Sequence, residues 1–146
     1  MTASHDPITV LAATAVLLAL LGARPGVADV WTFETPSQNI QCSVGHAPGA
    51  SDIICTIIRR SGPPAAPRPA NCSNKDWGHT FSMHDTGRAR IECVEANRER
   101  RGSDRAEYGV TGEFGGLTCT SSTRGLRCEN RDGHGFFLSR RKQEIF

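Results

Sequence analysis

The sequence predicts an all-β fold, a small antiparallel sandwich or partly closed barrel with three local disulfides. Three observations predict it. The stretch Gly116 to Arg140 reads as three short strands separated by two glycine turns, with a cysteine in each of the first two strands. Six cysteines, an even number, lie behind a segment with the features of an export signal. No stretch carries a convincing amphipathic-helix period, and there is no internal repeat.

Residues 1–28 are expected to be a signal peptide. Ile8 to Leu21 is an uncharged run of fourteen residues, short for a bilayer span, and Gly26-Val27-Ala28 offers small residues for cleavage after Ala28. Met1 to Pro7 holds no Lys or Arg, so the positive charge usual at this end rests on the amino terminus alone. The first cysteine, Cys42, is far from that cleavage point, which argues against a lipid-anchored start. Residues 29–146 suffice for one domain, expected to be a secreted or periplasmic monomer with no stable membrane insertion. A formal net charge of +2 is too weak to imply a nucleic-acid partner.

Val30 to Phe33 is a β-prone start, and Thr35 to Asn39 supplies turn residues. Ile40, Cys42 and Val44 then share one face by period-2 alternation. Gly45 to Asp52, with Pro48 and two glycines, reads as a loop. Ile53 to Ile58 is a near-continuous apolar run, the pattern of a strand covered on both faces. Ser61 to Asn71 holds four prolines and must cross the surface in extended form, with Cys72 at its far end. Thr80 to Met83 and Arg88 to Glu95 read as strands joined by a turn at His84-Asp85-Thr86-Gly87. Ala96 to Glu107 carries seven charged residues and reads as a solvated loop. Val110 to Phe114 is a further strand before the turn at Gly115-Gly116.

In the block that follows, Leu117 to Ser121 and Leu126 to Asn130 form a hairpin about Ser122-Thr123-Arg124-Gly125, which sets Cys119 opposite Cys128. Asn130 to Gly133 turns the chain back into Gly135 to Ser139, and the apolar end Ile145-Phe146 is placed to fold onto the sheet. Six cysteines allow fifteen pairings. Placing each sequential pair across a local antiparallel element favours Cys42 with Cys55, Cys72 with Cys93, and Cys119 with Cys128, each stabilising by roughly 3 kcal/mol in the loop-entropy model. A zinc site would need paired C-x-x-C spacing, which is absent.

Thr35-Pro36-Ser37-x-Asn39-Ile40-x-Cys42-Ser43-Val44, Cys72 with Trp77-Gly78, Tyr108-Gly109, and Gly133-His134-Gly135-Phe136-Phe137-Leu138-Ser139-Arg140 carry a resemblance. The chain resembles a family of short exported bacterial proteins of uncharacterised function with six cysteines. The resemblance spans nearly all of residues 29–146 and implies export and disulfides. It transfers no catalytic residue. Two positions depart from the pattern: Gln38 stands where glycine is expected in the first turn, and the segment before Tyr108 is more charged.

A non-catalytic binding or structural role outside the cytoplasm is therefore expected, with a protein or an anionic cell-envelope glycan as partner. Trp77, His79, His134 and Arg140 are the candidate binding residues. Arg98, Arg100, Arg101 and Arg105 with Arg140, Arg141 and Lys142 offer a basic patch, although Glu95, Glu99, Asp104 and Glu107 interleave with it. Trp31 and Trp77 offer rings for a sugar, or anchors for a core. The alternative is a small secreted hydrolase using His134, sterically open between two glycines, or the His79/His84 region with Asp76 and Asp85. Neither G-x-S-x-G nor H-E-x-x-H occurs, and oxidised cysteines would leave no thiol nucleophile. The spacing of Asp76, His79, His84 and Asp85 is too loose to name a metal site, and no cofactor is expected.

Overall fold

Residues 29–99 and 101–146 are described by the computed structural model; the expected signal peptide over residues 1–28, and Arg100 of the expected basic patch, lie outside the described residues. β-Branched and aromatic residues alternate with polar ones between Gly, Pro and Asn punctuation, so short strands with one apolar face form along the chain. The first sheet contains β1 (Asp29–Glu34), β2 (Ile40–Ala47), β3 (Ala50–Ile57), β4 (Thr80–His84), β5 (Arg90–Ile91) and β6 (Asp104–Arg105), in the order β5-β4-β3-β2-β1-β6. All neighbours are antiparallel except β6, which lies parallel to β1. The second is an antiparallel meander of β7 (Thr111–Phe114), β8 (Leu117–Ser122), β9 (Gly125–Asn130), β10 (Gly135–Leu138) and β11 (Gln143–Ile145).

The two sheets share one core. Phe33, Val44, Ile53, Ile57, Phe81 and Met83 from the first pack with Leu117, Leu126, Phe136 and Leu138 from the second. The Phe81 and Phe136 rings meet across the interface at 5.8 Å. Two separate sheets around one core make a sandwich, not a closed barrel. The three disulfides join Cys42 to Cys55, Cys72 to Cys93 and Cys119 to Cys128. Cys42 and Cys55 are directly opposed in the β2–β3 register, as are Cys119 and Cys128 in β8–β9. All four point inward and are buried, so these bridges are core hydrophobes as well as cross-links.

Several sequence expectations are corrected. Gly45 to Asp52 is not a loop: β2 and β3 run through it and turn only at Pro48-Gly49. Nor is β3 covered on both faces. Ile53, Cys55 and Ile57 point into the core while Ile54 is 43 % exposed, so the apolar run follows ordinary one-face burial. The strand expected over Arg88 to Glu95 shrinks to Arg90–Ile91, because Cys93 leaves the sheet to reach Cys72.

Ala96 to Glu107 is solvated over most of its described residues, as expected, but it is anchored and contributes β6. The chain there passes from the β5 edge to the β6 edge of the first sheet, and Ala96 is 5 % exposed. Ser103 donates from its backbone N–H to Thr32 Oγ1 and from its hydroxyl to the Thr32 carbonyl, both at 2.9 Å. Ala106 N–H donates to the Glu34 carbonyl. Gly102 fits because a Cβ there would sit 2.3 Å from the Phe33 carbonyl carbon.

A polar network fastens the sheets together at one end. Asp85, 8 % exposed, accepts from Ser51 N–H of β3 at 2.9 Å and from Gly116 N–H, in the β7–β8 turn, at 3.0 Å. Its own carbonyl accepts from Arg131 N–H. Asn130 Nδ2 donates to the carbonyls of His84 and Gly87, and Asn130 Oδ1 accepts from Asp132 and His134 N–H. Gly115 turns beside this network at a φ of 62°, where a Cβ would lie 2.2 Å from Ser51 Oγ.

Asp85→Ala strands the buried N–H of Ser51 and the partly buried N–H of Gly116, and should destabilise the oxidised protein by about 2–4 kcal/mol. Urea denaturation at pH 7 measures this; an effect below about 1 kcal/mol would show that the core alone sets the sheet arrangement.

At the opposite end Gln38 takes a positive φ of 56°, the conformation for which glycine was expected. Its amide Nε2 donates to the buried Glu34 Oε1 at 3.1 Å. Glycine would relieve about 1–2 kcal/mol of strain, less its own chain entropy, and would lose a bond to a buried carboxylate of comparable or greater worth. Gln38→Gly is therefore expected to lower stability by about 1 kcal/mol, and to raise it once Glu34 is also replaced by threonine. A four-variant denaturation cycle reads the sign change.

Candidate functional site

The meander sends its connections to alternate ends of the sandwich. The turns at Gly115-Gly116 and Arg131 to His134 carry the Asp85–Asn130 network. The β8–β9 turn at Thr123-Arg124 and the β10–β11 link at Ser139 to Lys142 lie at the other end, with the β1–β2 turn of the first sheet. These three connections and Tyr108 enclose a groove of about 210 Å³. Thr35, Ser37, Asn39 and Ile40 line it from the first sheet; Tyr108, Ser122 to Gly125, Ser139 and Arg140 line it from the other side.

The walls are held by their own hydrogen bonds. Ser122 Oγ donates to the Gly125 carbonyl and accepts from Arg124 N–H. Ser139 Oγ bonds both the N–H and the carbonyl of Lys142. Asn39 is clamped to Arg59 through both amide atoms, each at 2.9 Å. Two guanidinium groups, Arg124 and Arg140, line the groove, and no Asp or Glu does. Neither arginine forms an ion pair among the described residues. Tyr108 is well exposed and adds a ring at the rim. Such an arrangement can hold an anionic, hydroxyl-rich ligand.

Arg140 is thus the one sequence candidate that stands in this groove. Arg124 was missed because its partner positions lie far along the chain; its place at a hairpin tip was the available signal. Trp77 is half-buried, and its indole Nε1 donates to the Ala66 carbonyl at 2.9 Å, holding the proline-rich crossing in place. His79 Nδ1 donates to the Ile57 carbonyl at 2.7 Å, which fixes its tautomer. His134 lies at the opposite end, its backbone N–H and carbonyl both bonded to Asn130. Two members of the basic patch are paired with acids, Arg98 with Asp76 and Lys142 with Glu144.

His79 and His84 flank opposite ends of β4, so the structure does not bring them together. The nearest approach to a catalytic pair is elsewhere. His46 Nδ1 and Ser51 Oγ share a 2.8 Å hydrogen bond, but Ser51 is buried and no carboxylate bonds that ring among the described residues. Among the described residues there is also no group of three or more His, Cys, Asp and Glu side chains placed to hold a metal ion.

Asp76, another member of that sequence cluster, is occupied by structure. Arg98 donates to both carboxylate oxygens at 2.9 Å and Ala96 N–H donates at 3.0 Å. The Arg98 hydrogen bonds first, and the Ala96 N–H second, hold the Asp76 carboxyl well below the usual carboxylate range. Because the native pKa is depressed, the stabilisation is full above the unfolded value of about 3.9 and is lost as pH falls below it. Asp76→Asn should cost about 1 kcal/mol from pH 7 to about 5, with the gap to wild type closing below about pH 4. Thermal melts across pH test this, and a gap that widens in acid would contradict it.

The chain belongs to a family of unknown function, DUF6636, whose sequence profile matches residues 12–146. No curated protein and no solved structure matches it.

Proposed function

We propose that this chain is an exported, non-catalytic binding domain that takes an anionic glycan of the cell envelope in the groove at Tyr108, Arg124 and Arg140. The observation that carries the reading is the groove's charge: two arginines line it, neither in an ion pair among the described residues, with no carboxylate among the lining residues. Arginine suits uronate or sulfate groups because its planar fork matches their oxygens. Three closed disulfides with no free cysteine favour an oxidising compartment. The hydrolase alternative draws less support: His79 stands at the other end of β4 from His84, and His84 and His134, which both bond the Asn130 side chain, do so through their backbones.

Calorimetric titration with uronic-acid and sulfated oligosaccharides, against neutral maltotriose, tests the reading. Acidic sugars should bind in a salt-sensitive manner, and Arg124→Ser with Arg140→Ser should weaken binding at least tenfold with little change in thermal stability. Tyr108→Ala should weaken it about three- to tenfold through the lost ring face. Equal binding of maltotriose, or an unaffected double variant, would sink the glycan reading; no sugar binding at all would turn the search to a protein partner.

A further inference from the structure

A second cleft opens along the sandwich edge, between β1 and β6 of one sheet and β7 and β8 of the other, with a volume of about 160 Å³. Three rings wall it. Trp31 meets Phe114 edge-on at 5.5 Å, and Phe33 stacks on Phe114 at 6.0 Å with 5° between planes. Trp31 remains 40 % exposed, so the wall reaches solvent. Ser121 lines the same cleft from β8; it is 1 % exposed, and its hydroxyl has no hydrogen-bond partner among the described residues.

That hydroxyl is the informative feature. Its nearest inward-facing neighbours, Cys119 on β8 and Leu126 opposite it on β9, are apolar. A buried unpaired hydroxyl is costly, and alanine would fill the position without that cost. We propose that the cleft binds a small monocyclic aromatic alcohol, its ring against Trp31, Phe33 and Phe114 and its hydroxyl paired with Ser121 Oγ. The space suits a single ring, since an apolar cavity of about 150 Å³ takes up benzene. Aromatic walls favour a flat guest in edge-on or offset contact, and a serine hydroxyl both donates to and accepts from a phenol. Its lining shares no residue with the Arg124–Arg140 groove.

The test titrates p-cresol and toluene into isotope-labelled wild-type, Ser121→Ala and Ser121→Thr protein, following backbone amide shifts. Both ligands should give saturable shifts centred on Gly112, Phe114 and Ser121. The ratio of p-cresol to toluene affinity should fall about three- to tenfold in Ser121→Ala and be retained in Ser121→Thr. The same spectra verify that each variant is folded. Absence of saturable shifts at these residues, shifts gathered elsewhere, or a ratio unchanged by Ser121→Ala would each overturn the proposal.

Discussion

Asp85 hydrogen-bonds both sheets at once, through Ser51 N–H and Gly116 N–H. Each cross-strand disulfide closes within a single sheet, Cys42–Cys55 in the first and Cys119–Cys128 in the second, and Cys72–Cys93 ties segments that flank β4 and β5. Covalent bonding therefore sets register inside the sheets and leaves their mutual position to the core and to hydrogen bonds. Apolar packing is nondirectional. A buried carboxylate held between Ser51 N–H and Gly116 N–H is directional, and it is tolerable only because charge-assisted bonds offset its desolvation.

With one end fastened in this way, the other is left to its loops. Asp85, Asn130 and Asp132 use up the polar groups around the β7–β8 and β9–β10 turns. At the far end the Glu34 carboxylate is turned to Gln38, and Arg124 and Arg140 form no ion pair among the described residues. The edge cleft at Trp31 and Phe114 lies between these ends, where the short β6 and β7 leave the core incompletely covered. Binding surfaces in small β sandwiches arise in such places, since positions within the paired sheets are committed to packing.

The local parts of this fold were legible. The Cys119–Cys128 hairpin followed from turn chemistry and period-2 alternation, and sequential cysteine pairing followed from short spacing across antiparallel elements. The resemblance located an unusual backbone position at Gln38, where the chain does adopt a positive φ. Non-local pairing was not legible. Asp104 and Arg105 look like solvent-facing charges, and only a parallel pairing with Phe33 and Glu34, some seventy positions earlier, makes them a strand. The groove was half visible: Arg140 stood out, whereas Arg124 and Tyr108 acquire meaning only when three connections converge. Trp77 and His79 attracted attention for their chemistry, yet their polar atoms serve the backbone of Ala66 and Ile57.

The chain passes between the sheets once, through Ala106 to Val110, and every disulfide partner is the next cysteine along. A polypeptide delivered amino end first to an oxidant can therefore close each bridge as its second thiol arrives, with no later cysteine needed and no reshuffling. All six strands of the first sheet precede those of the meander in the chain. Assembly becomes the docking of a second half onto a first, and the residues about Tyr108 act as the tether that keeps the two at high effective concentration.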